Sequence, residues 1–161
     1  MTFMATGGII GALGSLRGIT KYDPDIEGLP ERYIWYGEDG ELRMQELERR
    51  PRIGGCNRTP FEQAMQRLDD FCAGKPIFYP QEISNLKHRI HGVWELKTTH
   101  VRLFGWFPEK SHFLFVNWEL KQKLLINTAY EPLIQEVLSF RSKLGLEKSV
   151  SSESGRLKDV L

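Results

Sequence analysis

The hydrophobic and polar positions of residues 86–123 alternate with a period of two in three successive runs. These runs are Val93–Lys97, Val101–Phe107 and Phe113–Leu120. Alternation in runs rich in Val, Phe and Trp is typical of half-buried β-strands. The links between the runs, residues 98–100 and 108–112, are short enough to join antiparallel neighbours. The pattern therefore predicts a three-stranded meander.

Unbroken alternation gives the predicted meander two different faces. One face carries no charge and is formed by Trp94, Leu96, Val101, Leu103, Phe107, Leu114, Val116, Trp118 and Leu120. Such a face has to be covered by another layer of structure. The other face mixes cations with rings and is formed by Lys97, His100, Arg102, Phe104, Trp106, Phe113, Phe115 and Asn117.

The mixed face has two interpretations, and both stay open at this point. Single-stranded RNA is often held on a sheet whose rings stack on bases while Lys and Arg bind phosphates. In the alternative interpretation, the aromatic residues form a second core beneath the N-terminal segment, since aromatic stripes are usually buried.

Helices and one further strand are predicted around the meander. Tyr33–Tyr36 reads as a short strand, and a short helix is favoured over a hairpin arm for Glu41–Arg50. The clearest helix begins with a capping box formed by Thr59 and Glu62, with a proline at its first helical position. The apolar stripe of this helix ends at Cys72. This helix is the expected cover of the uncharged face, with Cys72 buried in it. A second helix is predicted at 130–144.

These elements predict one α+β domain with a small antiparallel sheet, the meander plus an N-terminal strand, covered by helices. We expect this domain to span residues 31–147. Residues 1–30 are predicted to be a flexible N-terminal lead because they are rich in glycine and turn residues. Residues 148–161 are polar and serine-rich, and are predicted to be a disordered tail.

The net charge of +1 excludes a strongly basic nucleic-acid coat, but the charge is unevenly distributed. Residues 86–123 contain seven Lys or Arg against three Glu, a net charge of +4, and all four histidines. A local basic patch fits the binding of a short anionic segment, although a solvated sheet edge would look similar.

The two cysteines form no disulfide framework and suit a reducing cytosol. No apolar run is long enough to span a membrane, and residues 1–16 lack the features of a secretory signal. We therefore expect a cytoplasmic protein with no membrane partner.

Four segments follow one another around the predicted meander: Leu86-Lys87, Gly92–Lys97, Arg102–Phe104 and Phe113–Lys123. In this order they resemble the RelE/ParE superfamily of bacterial toxins, most closely its HigB-like, phage-derived branch. The resemblance covers roughly residues 33–125. It implies a small RelE-like domain that cuts mRNA, usually in the ribosomal A site, and that is silenced by an antitoxin protein.

The resemblance also implies site residues. RNA cleavage through the 2′-hydroxyl needs a base, cations for the phosphorane and an acid for the 5′-oxygen, and Lys or Arg can supply the charge without a metal or other cofactor. The implied catalytic residues are Lys97, Arg102, Lys121 and Lys123. The expected RNA-binding residues are Lys87, Arg89, His100, Phe104 and Trp106. Tyr130 is a weaker candidate for a C-terminal tyrosine that some members use.

Departures from the family pattern keep other functions open. Lys97 stands where the family has an arginine, which loses the bidentate grip on phosphate. His88 and His91 have the spacing of a metal pair but lack a third ligand, so no metal site is expected. Either histidine, or His100, could instead act as general acid or base. The alternative functions are an inactive phage- or mobile-element-derived binding or assembly protein and a gyrase-directed ParE-like toxin.

Overall fold

The computed structural model describes residues 13–14, 16, 18–86, 92–126, 129–147 and 155–161. The strands are β1 (Thr20–Lys21), β2 (Tyr33–Tyr36), β3 (Ile83–Asn85), β4 (Trp94–Lys97), β5 (Val101–Glu109) and β6 (His112–Leu120). The helices are α1 (Glu38–Glu48), α2 (Pro60–Cys72), α3 (Tyr130–Lys143) and α4 (Leu157–Val160), with a 3-10 helix at Lys121–Leu125. The fold is therefore α+β, as predicted.

All six strands belong to one sheet, in the order β1-β2-β6-β5-β4-β3. Strand β2 runs parallel to β6, and the other neighbours are antiparallel. The predicted small antiparallel sheet is corrected in two ways. Two edge strands are added, and one of the pairings is parallel. The edge strands β1 and β3 have two and three residues, which is too short for a period of two to be recognised.

A β-bulge in β6 changes which side chains share a face. Phe104 pairs with Asn117, but the next residue of β5, Gly105, pairs with Phe115, so Val116 is the extra residue. A bulge of this kind reverses the alternation beyond it. The predicted faces are therefore wrong for the first half of β6.

Each side of the sheet carries its own hydrophobic core. The first core lies against α1 and α2 and contains Phe113 and Phe115, which were predicted on the mixed face. The second core lies against α3 and contains Leu114 and Val116, which were predicted on the uncharged face. Both corrections follow from the bulge, because Phe113, Leu114 and Phe115 lie on its N-terminal side and Val116 is the extra residue itself.

Helix α2 covers the first core as predicted. The side-chain oxygen of Thr59 accepts a hydrogen bond from the backbone N–H of Glu62, and the Glu62 carboxylate accepts one from the backbone N–H of Thr59. This reciprocal pair is the predicted capping box. Cys72 is 1% exposed in the core, and burial raises the pKa of its thiol to about 12, as expected for a packing residue.

Described parts of the predicted lead and tail pack on the domain. In the lead, β1 pairs with β2, and Ile26 packs on the first core. In the predicted disordered tail, Val160 of α4 is fully buried, and its carbonyl oxygen accepts a hydrogen bond from the backbone N–H of Ser111 at 2.7 Å. The apolar side chains at the end of the tail make this contact. The serine-rich composition of the tail had predicted disorder instead. No helix in the described ranges is long and apolar enough to cross a bilayer.

Candidate functional site

Three charged side chains form a row across the sheet. Lys97 on β4 is the cross-strand partner of Arg102 on β5, and Arg102 is the partner of Glu119 on β6. Cross-strand partners lie on the same face of a sheet. Lys97 and Arg102 therefore share one face of the sheet, as the sequence pattern predicted, and α3 covers this face.

Glu95 is the buried carboxyl of this face, and sequence reasoning did not identify it. It is 4% exposed, and its Oε1 accepts a hydrogen bond from the Ser84 hydroxyl at 3.0 Å and lies 3.5 Å from Lys97 Nζ. Its Oε2 is buried and has no hydrogen-bond partner among the described residues. Burial raises the pKa of Glu95, while Lys97 and the Ser84 hydroxyl oppose the shift. The two-residue alternation that placed Lys97 on this face also places Glu95 there.

Arg102 is held by the main chain of its own turn. Its Nη1 donates hydrogen bonds to the carbonyl oxygens of Thr98 and Val101. Burial lowers the pKa of Arg102, and the nearby charge of Glu95 opposes that shift. An arginine remains cationic under such conditions, so Arg102 presents a fixed positive charge beside the carboxyl.

Tyr130 lies over the same face of the sheet as Glu95 and Arg102. It is the first residue of α3, and its ring meets that of Phe104 edge to face at a centroid distance of 6.0 Å. Burial and the charge of Glu95 raise the pKa of Tyr130, whereas Arg102 lowers it. The hydroxyl is therefore protonated at neutral pH. We call Glu95, Lys97, Arg102 and Tyr130 the carboxyl–cation cluster.

The two predicted lysines after β6 lie at the same end of the sheet. Lys121 and Lys123 are exposed residues of the 3-10 helix. The backbone N–H of Lys121 donates to the carbonyl oxygen of His100 at 2.8 Å, which joins this helix to the β4–β5 turn. The Nζ of Lys123 lies 4.0 Å from Glu119 Oε1. Four cations therefore surround the end of the sheet that carries the cluster.

His100 is in the β4–β5 turn and is fixed by α2. Its Nδ1 lies 3.0 Å from Gln63 Nε2, and its backbone N–H donates to Gln63 Oε1 at 3.0 Å. His100 thus borders the cluster, with its Nδ1 already engaged by a side-chain amide.

The prediction that Phe104 and Trp106 stack on RNA bases is wrong. Phe104 and Trp106 are both 0% exposed, so neither ring is open to a nucleotide base. Trp106 packs edge to face on Phe140 of α3 at 6.2 Å. Phe104 and Trp106 do belong to a second core, but its main cover is α3 and not the N-terminal segment, from which Leu13 contributes. Phe113 and Phe115, which were assigned to the same core, lie in the first one.

Two predicted RNA-binding residues, Lys87 and Arg89, lie outside the described residues, as do His88 and His91. Within the described ranges, no three His, Cys, Asp or Glu side chains are grouped so that they could hold a metal ion. Comparisons with protein-family models, with curated proteins and with solved structures gave no match.

Proposed function

We propose that the protein is a metal-independent endoribonuclease that cleaves mRNA as the toxin of a toxin–antitoxin pair. The observation that carries the proposal is the carboxyl–cation cluster. It places a carboxyl, one oxygen of which has no hydrogen-bond partner in the described part of the chain, beside Lys97 and on the same sheet face as Arg102. The resemblance of residues 33–125 to RelE-like toxins supports the same assignment.

The cluster supplies the groups that cleavage through the 2′-hydroxyl requires. The 2′-oxygen attacks phosphorus, the bond from phosphorus to the 5′-oxygen breaks, and a 2′,3′-cyclic phosphate remains. Lys97 and Arg102 stabilise the negative charge that accumulates on the phosphorane. Lys121 and Lys123 are exposed, so in this proposal they bind the flanking phosphates of the strand.

Glu95 and Tyr130, the other two residues of the carboxyl–cation cluster, transfer the protons in this proposal. Glu95 takes the proton of the 2′-hydroxyl, because a carboxyl with a raised pKa is a better base near neutral pH than an ordinary glutamate. In this proposal its 3.5 Å contact with Lys97 is released when the ammonium group turns to a phosphate oxygen, which frees Oε1 of that contact. Tyr130, which starts protonated, donates its proton to the leaving 5′-oxygen.

The proposed toxin has an RNA substrate and a protein inhibitor. The substrate is mRNA, either free or on the ribosome, and the inhibitor is an antitoxin protein encoded with the toxin. Both interactions place the action of the protein in the cytoplasm. A small helix-turn-helix protein encoded in the neighbouring reading frame would be the expected antitoxin.

Cleavage of a defined RNA in the presence of EDTA tests the proposal. We expect the wild type to cut the RNA and the double variant Lys97→Ala/Arg102→Ala to lose the activity. The matched control is Lys110→Ala/Lys143→Ala, which removes two exposed cations elsewhere on the protein. Undiminished cleavage by Lys97→Ala/Arg102→Ala would show that the carboxyl–cation cluster is not the active site.

A second candidate function is a non-catalytic binding or assembly protein with the same fold. Two observations favour it. The Arg102 guanidinium is bonded to main-chain carbonyls, and Phe104 and Trp106 are closed to bases. Expression in a bacterial host separates the two functions, because a ribonuclease toxin arrests growth and degrades mRNA. A harmless protein that still binds a partner would support the second function.

A further inference from the structure

The loop between α1 and α2 is an arginine cluster outside the site described above. Residues 49–58 contain four arginines and no acidic residue. These are Arg49, Arg50, Arg52 and Arg58, and all four are exposed. None of them forms an ion pair with another described residue. Glu46 and Glu48 on the preceding helix are the nearest acids in the sequence, so the loop itself carries a net charge of +4.

The arginine loop is attached to the sheet at its start and at its end. At the start, the Arg50 guanidinium lies over the Trp118 ring, 5.6 Å from its centroid. At the end, the carbonyl oxygen of Arg58 accepts a hydrogen bond from Gln63 Nε2 at 3.3 Å. These contacts hold the loop at a defined place while leaving its charges in solvent.

A short chain of contacts leads from the loop to the carboxyl–cation cluster. Besides Arg58, the Gln63 amide bonds the β4–β5 turn through the Thr98 hydroxyl and the backbone N–H of His100. The carbonyl oxygen of Thr98 in turn accepts from the Arg102 guanidinium. The loop lies on the side of the first core and the cluster on the side of the second, so the β4–β5 turn separates two basic regions at one end of the sheet.

We propose that the loop of residues 49–58 is a second RNA-binding site, a phosphate track that carries the substrate strand around the β4–β5 turn into the cluster. This inference rests on the proposed function for its choice of ligand. The planar guanidinium binds phosphate oxygens in pairs, which suits arginine to this role. Among the described residues, and apart from the chain neighbours, no atom lies within 4 Å of a Cβ placed on Gly54 or Gly55, so a nucleotide backbone can approach the loop closely.

RNA fits the loop better than an acidic protein partner does. Protein interfaces depend on central apolar anchors that become buried. None of the large exposed hydrophobic side chains among the described residues belongs to the loop, and Ile53 is packed against the first core. A surface with charge and no anchor is typical of binding to a phosphate backbone.

The test compares a loop variant with a variant of equal charge in equilibrium binding. The loop variant is Arg49→Ala/Arg52→Ala/Arg58→Ala, and the control, Lys110→Ala/Lys143→Ala/Lys158→Ala, removes three exposed cations from the rest of the surface. The probes are a fluorescent 2′-O-methyl RNA of about ten nucleotides, which cannot be cleaved through the 2′-oxygen, and a matching dinucleotide. Affinity is measured by anisotropy over a range of salt concentrations.

Each phosphate contact on a single strand contributes about 0.7 to the slope of log affinity against log salt. Three lost contacts should lower the slope by about 2 and weaken the longer RNA by about 100-fold at 0.1 M salt. We expect dinucleotide binding, which uses the cluster alone, to stay unchanged in the loop variant. The control variant should bind both probes like the wild type.

The outcomes separate this inference from the proposed function. Loss of long-RNA binding in the loop variant supports the track even if the wild type cuts no RNA, in which case only the proposed function fails. Cleavage that depends on Lys97 and Arg102, together with unchanged long-RNA binding by the loop variant, overturns the track. Displacement of the RNA by polyglutamate as readily as by polyuridylate would also overturn it, since the loop would then be a surface for acidic proteins.

Discussion

Replacing Gln63 with leucine should loosen the link between the arginine loop and the β4–β5 turn. The side chain is 8% exposed and connects two segments that are distant in sequence. Its Nε2 donates to the carbonyl oxygen of Arg58, and its Oε1 accepts from the Thr98 hydroxyl and the backbone N–H of His100. Leucine has a similar volume, so the change removes hydrogen bonds without opening a large cavity.

The cost of Gln63→Leu can be worked out from these contacts. The backbone N–H of His100 loses its acceptor in a half-buried turn, which costs about 1–3 kcal/mol. The Thr98 hydroxyl keeps its bonds to the main chain of Val101, and the Arg58 carbonyl and the Nδ1 of the half-buried His100 can bind water, so these three losses add roughly 1 kcal/mol. We expect a loss of about 2–4 kcal/mol, or a Tm lower by roughly 5–12 °C.

Urea denaturation followed by tryptophan fluorescence measures the free energy of unfolding directly. The control is Gln66→Leu on the same helix, because Gln66 is exposed and its one side-chain hydrogen bond within the described ranges goes to Asp70, one turn away. That variant should change stability by less than about 0.5 kcal/mol. If Gln63→Leu were as stable as Gln66→Leu, the Gln63 amide would not connect the two segments in the way described.

Two further predictions concern the sheet. Gly105→Ala places a Cβ against the backbone oxygen of Leu114, well inside van der Waals contact, so we expect it to cost at least about 3 kcal/mol in urea denaturation. Gly55→Ala, in open space, should change stability little, and equal stability of the two variants would contradict the packing at the bulge. His112 accepts a hydrogen bond from Trp35 Nε1 at 3.1 Å, and burial lowers its pKa. The unfolded chain therefore binds more protons, and stability should fall as the pH drops below about 6.5. The variant His112→Gln should show a flatter pH dependence in thermal melts from about pH 7 to about pH 5, and identical slopes would refute the assignment.

The sequence pattern predicted the elements with a strong local signal. The capping box at Thr59 and the strand Tyr33–Tyr36 lie where they were expected, because local hydrogen bonding and aromatic clustering specify them. The bulge at Val116 has no such signal in a run of continuous apolar residues. A strict period of two carried across the bulge therefore assigned Phe113–Val116 to the wrong side of the sheet.

The candidate site was predictable only in part. Lys97 and Arg102 were placed on one face because the turn between them preserves the alternation of the two strands. Burial of Phe104 and Trp106 depends on α3, which is distant in sequence, so alternation alone could not distinguish a stacking surface from a core. The arginine loop was missed because acidic residues elsewhere in the chain balance it in the total charge.

The measurement that tests the central claim most directly is the single-turnover rate of RNA cleavage in EDTA for three proteins. These are the wild type, Lys97→Ala/Arg102→Ala and Glu95→Gln. We predict that the wild type cuts RNA to a 2′,3′-cyclic phosphate and that each variant is slower by a factor of about 100 or more. Equal rates for the three proteins, or no cleavage by the wild type, would contradict the account.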